Sequence, residues 1–173
     1  MKAIKALSIF LEKTLEKLLV VLVSAIVIDV TWQVLTRFLF RDPSSYTEEL
    51  ARYLLMWIGL LGAAYAYRKH SHLSLDLMLH SVSREKQKLL LRFIHTMSFF
   101  FAAVVMVFGG FKLMALTFNL NQTSAALGVP IGGVYTCLPI SGFLICWFAL
   151  ENIIVNPIPE QFNSETDQPA DNS

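Results

Sequence analysis

The chain has 173 residues, of which 55% are hydrophobic and only 16% are charged, and its mean hydropathy is +0.55. Water-soluble domains carry about 25% charged residues, so this composition is typical of a protein whose solvent is membrane lipid. The 14 Lys and Arg residues nearly balance the 13 Asp and Glu residues, so the net charge gives no support for a nucleic-acid-binding surface.

The first predicted membrane span covers residues 18–40. At about 1.5 Å per residue it is long enough for a hydrocarbon layer of about 30 Å. Ahead of it, apolar residues recur at helical spacing among charged ones, namely Ile4, Leu7, Leu11, Leu15 and Leu18. This pattern predicts an amphipathic N-terminal segment that lies in the plane of the membrane interface and contacts lipid.

The second span is predicted over residues 49–67, after a turn at Asp42-Pro43. Glu48, Glu49 and Arg52 stand at its start, at spacings of three and four residues. They either form a local ion pair or contact a partner on the outer face of the membrane. Arg68 and Lys69 mark the opposite, cytoplasmic interface.

Two further spans are predicted over residues 93–111 and 134–154. Residues 70–88, which include His72 and Asp76, form a connection that we expect to lie on the cytoplasmic membrane surface. A polar connection rich in turn-forming residues joins the third and fourth spans at residues 119–133. Residues 156–173 contain no Lys or Arg and are predicted to be a disordered tail. The expected fold is therefore an all-α integral membrane domain of four helices.

The basic residues predict the orientation of these spans. Ten of the 14 Lys and Arg residues lie before the first span or between the second and third spans, and four lie on the opposite side. Because positive residues concentrate on the cytoplasmic side, both termini are predicted to be cytoplasmic.

A carboxylate near the middle of the first span needs a protein neighbour or a proton, because an unpaired charge in lipid costs several kcal/mol. Asp29 is that residue, and Gln33, Thr36 and Arg37 share its helical face. Such a stripe forms either a proton or ion site or a contact with another helix. Helix packing is the preferred interpretation, since the other spans offer no central carboxylate or Lys to complete a pathway.

Small residues on the second span predict a second packing face. Gly59 with Ala63, and Gly62 with Ala66, form two pairs spaced by four residues, which lets another helix approach closely. Trp57 stands beside them. We expect these residues to pack against a partner subunit or against the other spans.

The sequence contains no phosphate-binding loop, zinc-helix motif or nucleophile elbow, so an enzyme is not expected. Of the four histidines, only His95 approaches a span, which argues against haem ligation by two histidines. Two other functions remain open at this point. One is an autonomous proton-coupled exporter that uses Asp29, and the other is a haem-bearing membrane anchor of a redox complex.

Residues distributed over nearly the whole chain resemble those of one family. They are Trp32, Arg37, Phe40, the run from Tyr46 to Tyr53, Trp57, Gly62-Ala63-Ala64, Arg68, His72, Asp76, Val129-Pro130, Tyr135 and Leu138-Pro139-Ile140. In order and spacing they resemble the small membrane subunit of tripartite ATP-independent periplasmic (TRAP) transporters. The tail after Asn156 falls outside the resemblance.

The resemblance implies a system of three proteins. A periplasmic binding protein delivers a solute that carries a carboxylate, such as a four-carbon dicarboxylate or sialic acid. A large membrane subunit moves it by a sodium-driven elevator motion, and the small subunit braces that scaffold in the inner membrane. On this view the chain binds no cofactor or metal itself, and the substrate and sodium sites lie in the large subunit.

Overall fold

The computed structural model describes residues 2–39, 45–69 and 84–154, and these ranges are almost entirely helical. His72, Asp76 and the tail lie outside the described residues. The helices are α1 (Lys2–Leu39), α2 (Ser45–Arg68), α3 (Arg84–Phe101), a π-helical segment (Ala102–Gly109), α4 (Gly110–Asn119), α5 (Ile131–Val134) and α6 (Cys137–Ile154).

Four stretches of these helices are long and apolar enough to cross a membrane. They are Ile4–Leu39, Ser45–Arg68, Arg92–Asn119 and Ile131–Ile154. The predicted all-α fold with four spans is therefore confirmed. The third span is continuous, because α3, the π-helical segment and α4 follow one another without a break. At about 1.5 Å per residue, its 28 residues form a helix that is longer than a hydrocarbon layer is thick.

The N-terminal segment differs from the expectation. It is not a separate helix at the interface but the beginning of α1, which is continuous from Lys2 to Leu39. Part of its apolar stripe is used for packing inside the protein, because Leu15 is buried and Leu11 contacts the same core. The stripe that predicted a lipid contact is thus partly covered by other helices.

The core lies where α1, α2 and α6 meet. Its fully or largely buried members are Leu15, Leu61, Ala64, Tyr67, Phe148 and Ala149. The most buried span is the fourth, in which 44% of the apolar window is inside the protein, against 6% for the first. The fourth span is therefore the central helix, whereas most of the surface of α1 is not covered by the described part of this chain.

The third and fourth spans approach each other closely at glycines. A Cβ atom at Gly142 would lie 2.8 Å from Met106 Cβ and 2.9 Å from Val107 Cγ2, both in the π-helical segment. A Cβ at Gly110 would lie 3.0 Å from the side chains of Leu138 and Pro139. These contacts leave no space for a side chain, so the two glycines permit the spans to pack backbone against backbone.

Candidate functional site

A network of ion pairs joins three helices at one end of the bundle. Arg68 Nε donates to Glu12 Oε2 at 3.1 Å, and Arg68 Nη1 lies 3.1 Å from Glu151 Oε2. The second contact is an ion pair rather than an aligned hydrogen bond, since Glu151 Oε2 has no hydrogen-bond partner by geometry. Arg68 also lies 5.6 Å from the centroid of the Phe148 ring. Arg68 therefore ties α1, α2 and α6 together.

Lys69 completes this network at its exposed edge. Its Nζ lies 2.6 Å from Glu12 Oε1. The hydrogen bond to the Glu12 carboxylate is the main cause that raises the pKa of Lys69 above its usual value. Arg68 and Lys69 were predicted only to mark a membrane interface. The structure shows in addition that Arg68, with a side chain 16% exposed, is a half-buried tie between helices.

Sequence reasoning missed Glu151, the most buried member of the network. Its side chain is 3% exposed. The available signal was an acidic residue next to Asn152 in the last turn of an otherwise apolar span. That signal is weak without knowledge of which helix faces Arg68.

Two further polar contacts support the same end of the bundle. The Tyr67 hydroxyl lies 2.7 Å from His95 Nδ1, which joins α2 to α3. Trp147 Nε1 donates to Ser8 Oγ at 2.9 Å, which joins α6 to α1. His95, Ser8 and Tyr67 are all buried, so these contacts pair polar groups that would otherwise be desolvated alone.

The Asp29 stripe lies on the protein-facing side of α1. Asp29 is 8% exposed and Thr36 is 9% exposed, whereas Gln33 is half-buried and Arg37 is exposed. The Thr36 hydroxyl donates to the Gln33 carbonyl of its own helix. Within the described part of the chain, Asp29 Oδ2 is buried without a hydrogen-bond partner. The position agrees with a packing face, and the role of Asp29 stays a prediction.

The small residues of α2 face open space. A Cβ atom at Gly59 or Gly62 would meet nothing within 4 Å. Ala63 is exposed, Ala66 is half-buried, and Trp57 turns inward to pack against the core. The face defined by Gly59, Gly62, Ala63 and Ala66, hereafter the small-residue face, is therefore not used by the described part of this chain.

A lateral groove adjoins the small-residue face. It has a volume of about 420 Å³ and lies between α2, α3 and α6. Its lining is mostly apolar and consists of Ala63, Tyr67, Met97, Ser98, Phe101 and Ile145. Together, the face and the groove form an indented surface that extends along α2 to Tyr67, near the Arg68 end of the bundle.

The three charged residues at the start of α2 have separate roles. Glu48 and Arg52 form an exposed ion pair, with Oε1 and Nη2 3.3 Å apart. Glu49 takes no part in it. Its Oε2 accepts hydrogen bonds from the backbone N–H groups of Ala126 and Leu127, at 2.9 and 3.0 Å. Its Oε1 accepts one from the Tyr53 hydroxyl at 2.9 Å.

The connection held by Glu49 has a defined turn structure. Gly128 and Asn121 adopt positive φ angles of 65° and 48°, and Thr123 and Pro130 form an isolated antiparallel bridge. The Ser124 hydroxyl accepts a second hydrogen bond from Leu127 N. Residues 120–130 were predicted only as a polar connection. Only the tertiary structure shows that the carboxylate of Glu49, far away in sequence, binds the backbone of this connection.

The described part of the chain contains no cluster of three or more His, Cys, Asp or Glu side chains able to hold a metal ion. Comparison with known proteins gives this arrangement its context. Residues 12–156 match the profile of the tripartite ATP-independent periplasmic transporters, DctQ component. The chain belongs to this family.

Individual proteins similar to this chain are members of the same kind of transporter. The chain is 31% identical over 143 residues to the sialic acid TRAP transporter small permease protein SiaQ of Vibrio cholerae, covering 80% of this chain and 78% of the relative. It is 29% identical over 150 residues to a protein of Haemophilus influenzae named as a TRAP transporter small permease, covering 87% of this chain and 91% of the relative.

A third relative is much longer than this chain. It is the sialic acid TRAP transporter permease protein SiaT of Haemophilus influenzae (strain 86-028NP), 25% identical over 124 residues. The match covers 72% of this chain but only 20% of the relative. This DctQ-family chain is thus a multi-pass inner-membrane subunit of a transporter and not an enzyme.

The network around Arg68 predicts a large and specific loss of stability. Arg68→Gln would leave Glu151 as a buried, unpaired carboxylate, so we expect the purified chain in detergent to lose about 3–5 kcal/mol of unfolding free energy. Arg52→Gln removes an exposed pair and should cost no more than about 1 kcal/mol. Thermal unfolding followed by circular dichroism measures both. The double variant Arg68→Gln, Glu151→Gln should recover part of the loss, and equal effects of the two single Arg variants would contradict the assignment.

The Glu49 contacts predict a local effect on the connection at residues 120–130. Glu49→Gln removes the negative charge that accepts the Ala126 and Leu127 N–H groups, so both amides should exchange with solvent at least about tenfold faster. Hydrogen exchange with mass spectrometry over residues 120–130 measures the change. Glu48→Gln is the matched control, because its partner is Arg52 on the same helix. An unchanged exchange rate in Glu49→Gln would show that Glu49 does not hold the connection.

Proposed function

We propose that this chain is the non-catalytic scaffold subunit of a sodium-coupled TRAP transporter. It braces and anchors a large membrane subunit, which moves the solute by an elevator motion. The solute is a carboxylate, either a four-carbon dicarboxylate or sialic acid, and a periplasmic binding protein delivers it. The chain lies in the inner membrane with both termini in the cytoplasm.

The contacts that the polar residues make support this proposal. Several buried or half-buried polar groups join one helix to another, as Arg68 does with Glu12 and Glu151. Asp29 is an isolated buried carboxylate in the described spans, and one such group does not form a pathway across the membrane. A chain organised in this way is suited to being a rigid part of a larger assembly.

The longer relative supports a partnership with a large subunit. In SiaT of Haemophilus influenzae, the segment that matches this chain is one fifth of a longer permease protein. A segment of this type therefore occurs within a single polypeptide that has four times as much additional sequence. We infer that this chain meets an equivalent large subunit as a separate polypeptide, and that the sodium and substrate sites lie in that subunit.

The small-residue face is the surface that we assign to the large subunit. Gly59 and Gly62 have open space where side chains would be, and the adjoining groove gives the surface a concave shape. In lipid, association of helices depends on close packing, which small residues permit. Trp57 supports this face from inside by packing against the core.

The outer end of α2 is the region that we assign to the binding protein. Glu49 holds residues 120–130 in a defined conformation, while Arg37, Glu48 and Arg52 are exposed near the same end of the bundle. A prearranged connection with exposed charges can receive a soluble protein without the cost of ordering a loop. Asp29 then serves helix packing.

Reconstitution distinguishes the scaffold from the autonomous exporter. Vesicles that contain this chain alone should show no uptake of dicarboxylate or sialic acid under a sodium or proton gradient. Vesicles that also contain the large subunit, with the binding protein and an inward sodium gradient, should accumulate one of the two. Radiolabelled uptake measures both arms. Uptake or proton-coupled export by the chain alone, abolished by Asp29→Asn, would establish the exporter and reject the scaffold.

Variants of the small-residue face test its assignment to the large subunit. Gly62→Leu and Gly59→Leu should each reduce co-purification with the large subunit, and uptake, at least about tenfold, because the added side chain prevents close helix packing. In the isolated chain both side chains have room, so thermal unfolding should stay within about 1 kcal/mol of wild type. Val27→Leu, on the exposed surface of α1, is the control and should leave assembly unchanged. Normal assembly of both Gly variants would remove this face from the interface.

A further inference from the structure

Three lysines lie on the side of α1 that points away from the helix bundle. Lys5, Lys13 and Lys17 are all exposed, and at about 100° per residue they occupy about 120° of the helix circumference. The opposite side of the same turns carries Ser8 and Leu15, which are buried against α6 and the core. The three lysines, hereafter the lysine face, form no ion pair with the described part of the chain.

The lysine face also contains exposed apolar side chains. Ile9 is 48% exposed and Phe10 is 65% exposed, and both lie on the same side of the helix as the lysines. Glu16, also exposed, is the acidic residue on this side, so the three lysines leave a net positive charge. A lysine beside exposed aliphatic and aromatic groups at the membrane border can extend its ammonium group to the headgroups while its stem and the apolar neighbours stay in the lipid.

The length of α1 places this face at the membrane border. Its 38 residues span about 57 Å, compared with about 40–45 Å for a bilayer with its headgroups. Counted from Arg37 towards the N-terminus, a hydrocarbon layer of about 30 Å ends near Lys17. The turns from Lys5 to Lys13 therefore project beyond the hydrocarbon. A helix longer than the bilayer is thick tilts, and a tilt of α1 with its outward side towards the membrane returns these turns to the headgroup layer.

We propose that the lysine face is a binding site for anionic phospholipid headgroups on the side of the membrane that holds the N-terminus. The ammonium groups of Lys5, Lys13 and Lys17 contact phosphate oxygens, while Ile9 and Phe10 enter the layer below the headgroups. A juxtamembrane lysine gains attraction from an anionic surface within about one Debye length, so three lysines on one side select anionic over zwitterionic lipid.

The acidic tail of the chain is the competing occupant of this face. Residues 156–173 contain Glu160, Glu165, Asp167 and Asp171 and no basic residue. They follow α6, whose Trp147 contacts α1 at Ser8. Lipid is favoured because it covers Ile9 and Phe10 as well as the charges, whereas a polar tail leaves these two side chains in water.

Native mass spectrometry of the full chain tests the proposal without any transporter partner. The chain, purified in a non-ionic detergent, is mixed with equal amounts of phosphatidylglycerol and phosphatidylcholine that carry the same acyl chains. Wild type should retain phosphatidylglycerol preferentially. The variant Lys5→Gln, Lys13→Gln, Lys17→Gln should lose at least about tenfold of that preference, and high salt should reduce it in wild type.

Control variants separate charge from structure. Replacing the same three lysines with Arg keeps the charges and should keep the preference. Lys112→Gln removes an exposed charge that lies outside the lysine face, in α4, and should also keep it. Equal retention of the two lipids by wild type, or an undiminished preference in the Gln variant, would overturn the proposal. A preference that arises only after residues 156–173 are deleted would overturn it too, since the tail would then cover the lysines. None of these measurements depends on the proposed transport function.

Discussion

The ion network around Arg68 is the constraint on which the arrangement of the bundle depends. A carboxylate as buried as that of Glu151 is tolerated only if a cation faces it, and Arg68 supplies this cation while also binding Glu12. The helices α1, α2 and α6 must therefore meet at the same height along the bundle, and each must have one particular rotation about its own axis. The core formed by Leu15, Leu61 and Phe148 lies against this network, so charge pairing and apolar packing specify the same contact.

Away from this end, apolar side chains cover the outside of the bundle. Most large apolar side chains of α1 point outward, and its membrane window is only 6% buried. Association between such helices cannot depend on removing apolar surface from water, because the surroundings are apolar too. The structure instead uses backbone contact, as at Gly142 against the π-helical segment. The same reasoning applies at Gly59 and Gly62. These small residues permit another helix to approach closely, and no described helix occupies the space beside them.

The two ends of the bundle are stabilised in different ways. At one end, side chains of separate helices pair with each other around Arg68. At the other end, Glu49 binds backbone N–H groups of a connection and thereby fixes a loop rather than a helix. The first arrangement fixes the helices relative to one another, and the second keeps an exposed surface in a defined shape. Both agree with membership of a transporter family in which this chain is a membrane subunit.

The sequence by itself determined the solvent, the number of spans and the family, because these depend on the length and order of apolar runs and on motifs that are local along the chain. It also singled out Asp29 as a carboxylate that needs a protein neighbour, placed Arg68 at a membrane interface, and predicted a packing face from the small residues of α2. It could not assign partners to them. The pairing of Arg68 with Glu151 and of Glu49 with Ala126 joins residues far apart in sequence, and it depends on how each helix is rotated about its axis. Periodicity does not resolve that rotation when nearly every face of a helix is apolar. Only the tertiary structure decided that Glu49 separates from Glu48 and Arg52, and that the N-terminal stripe packs partly against protein.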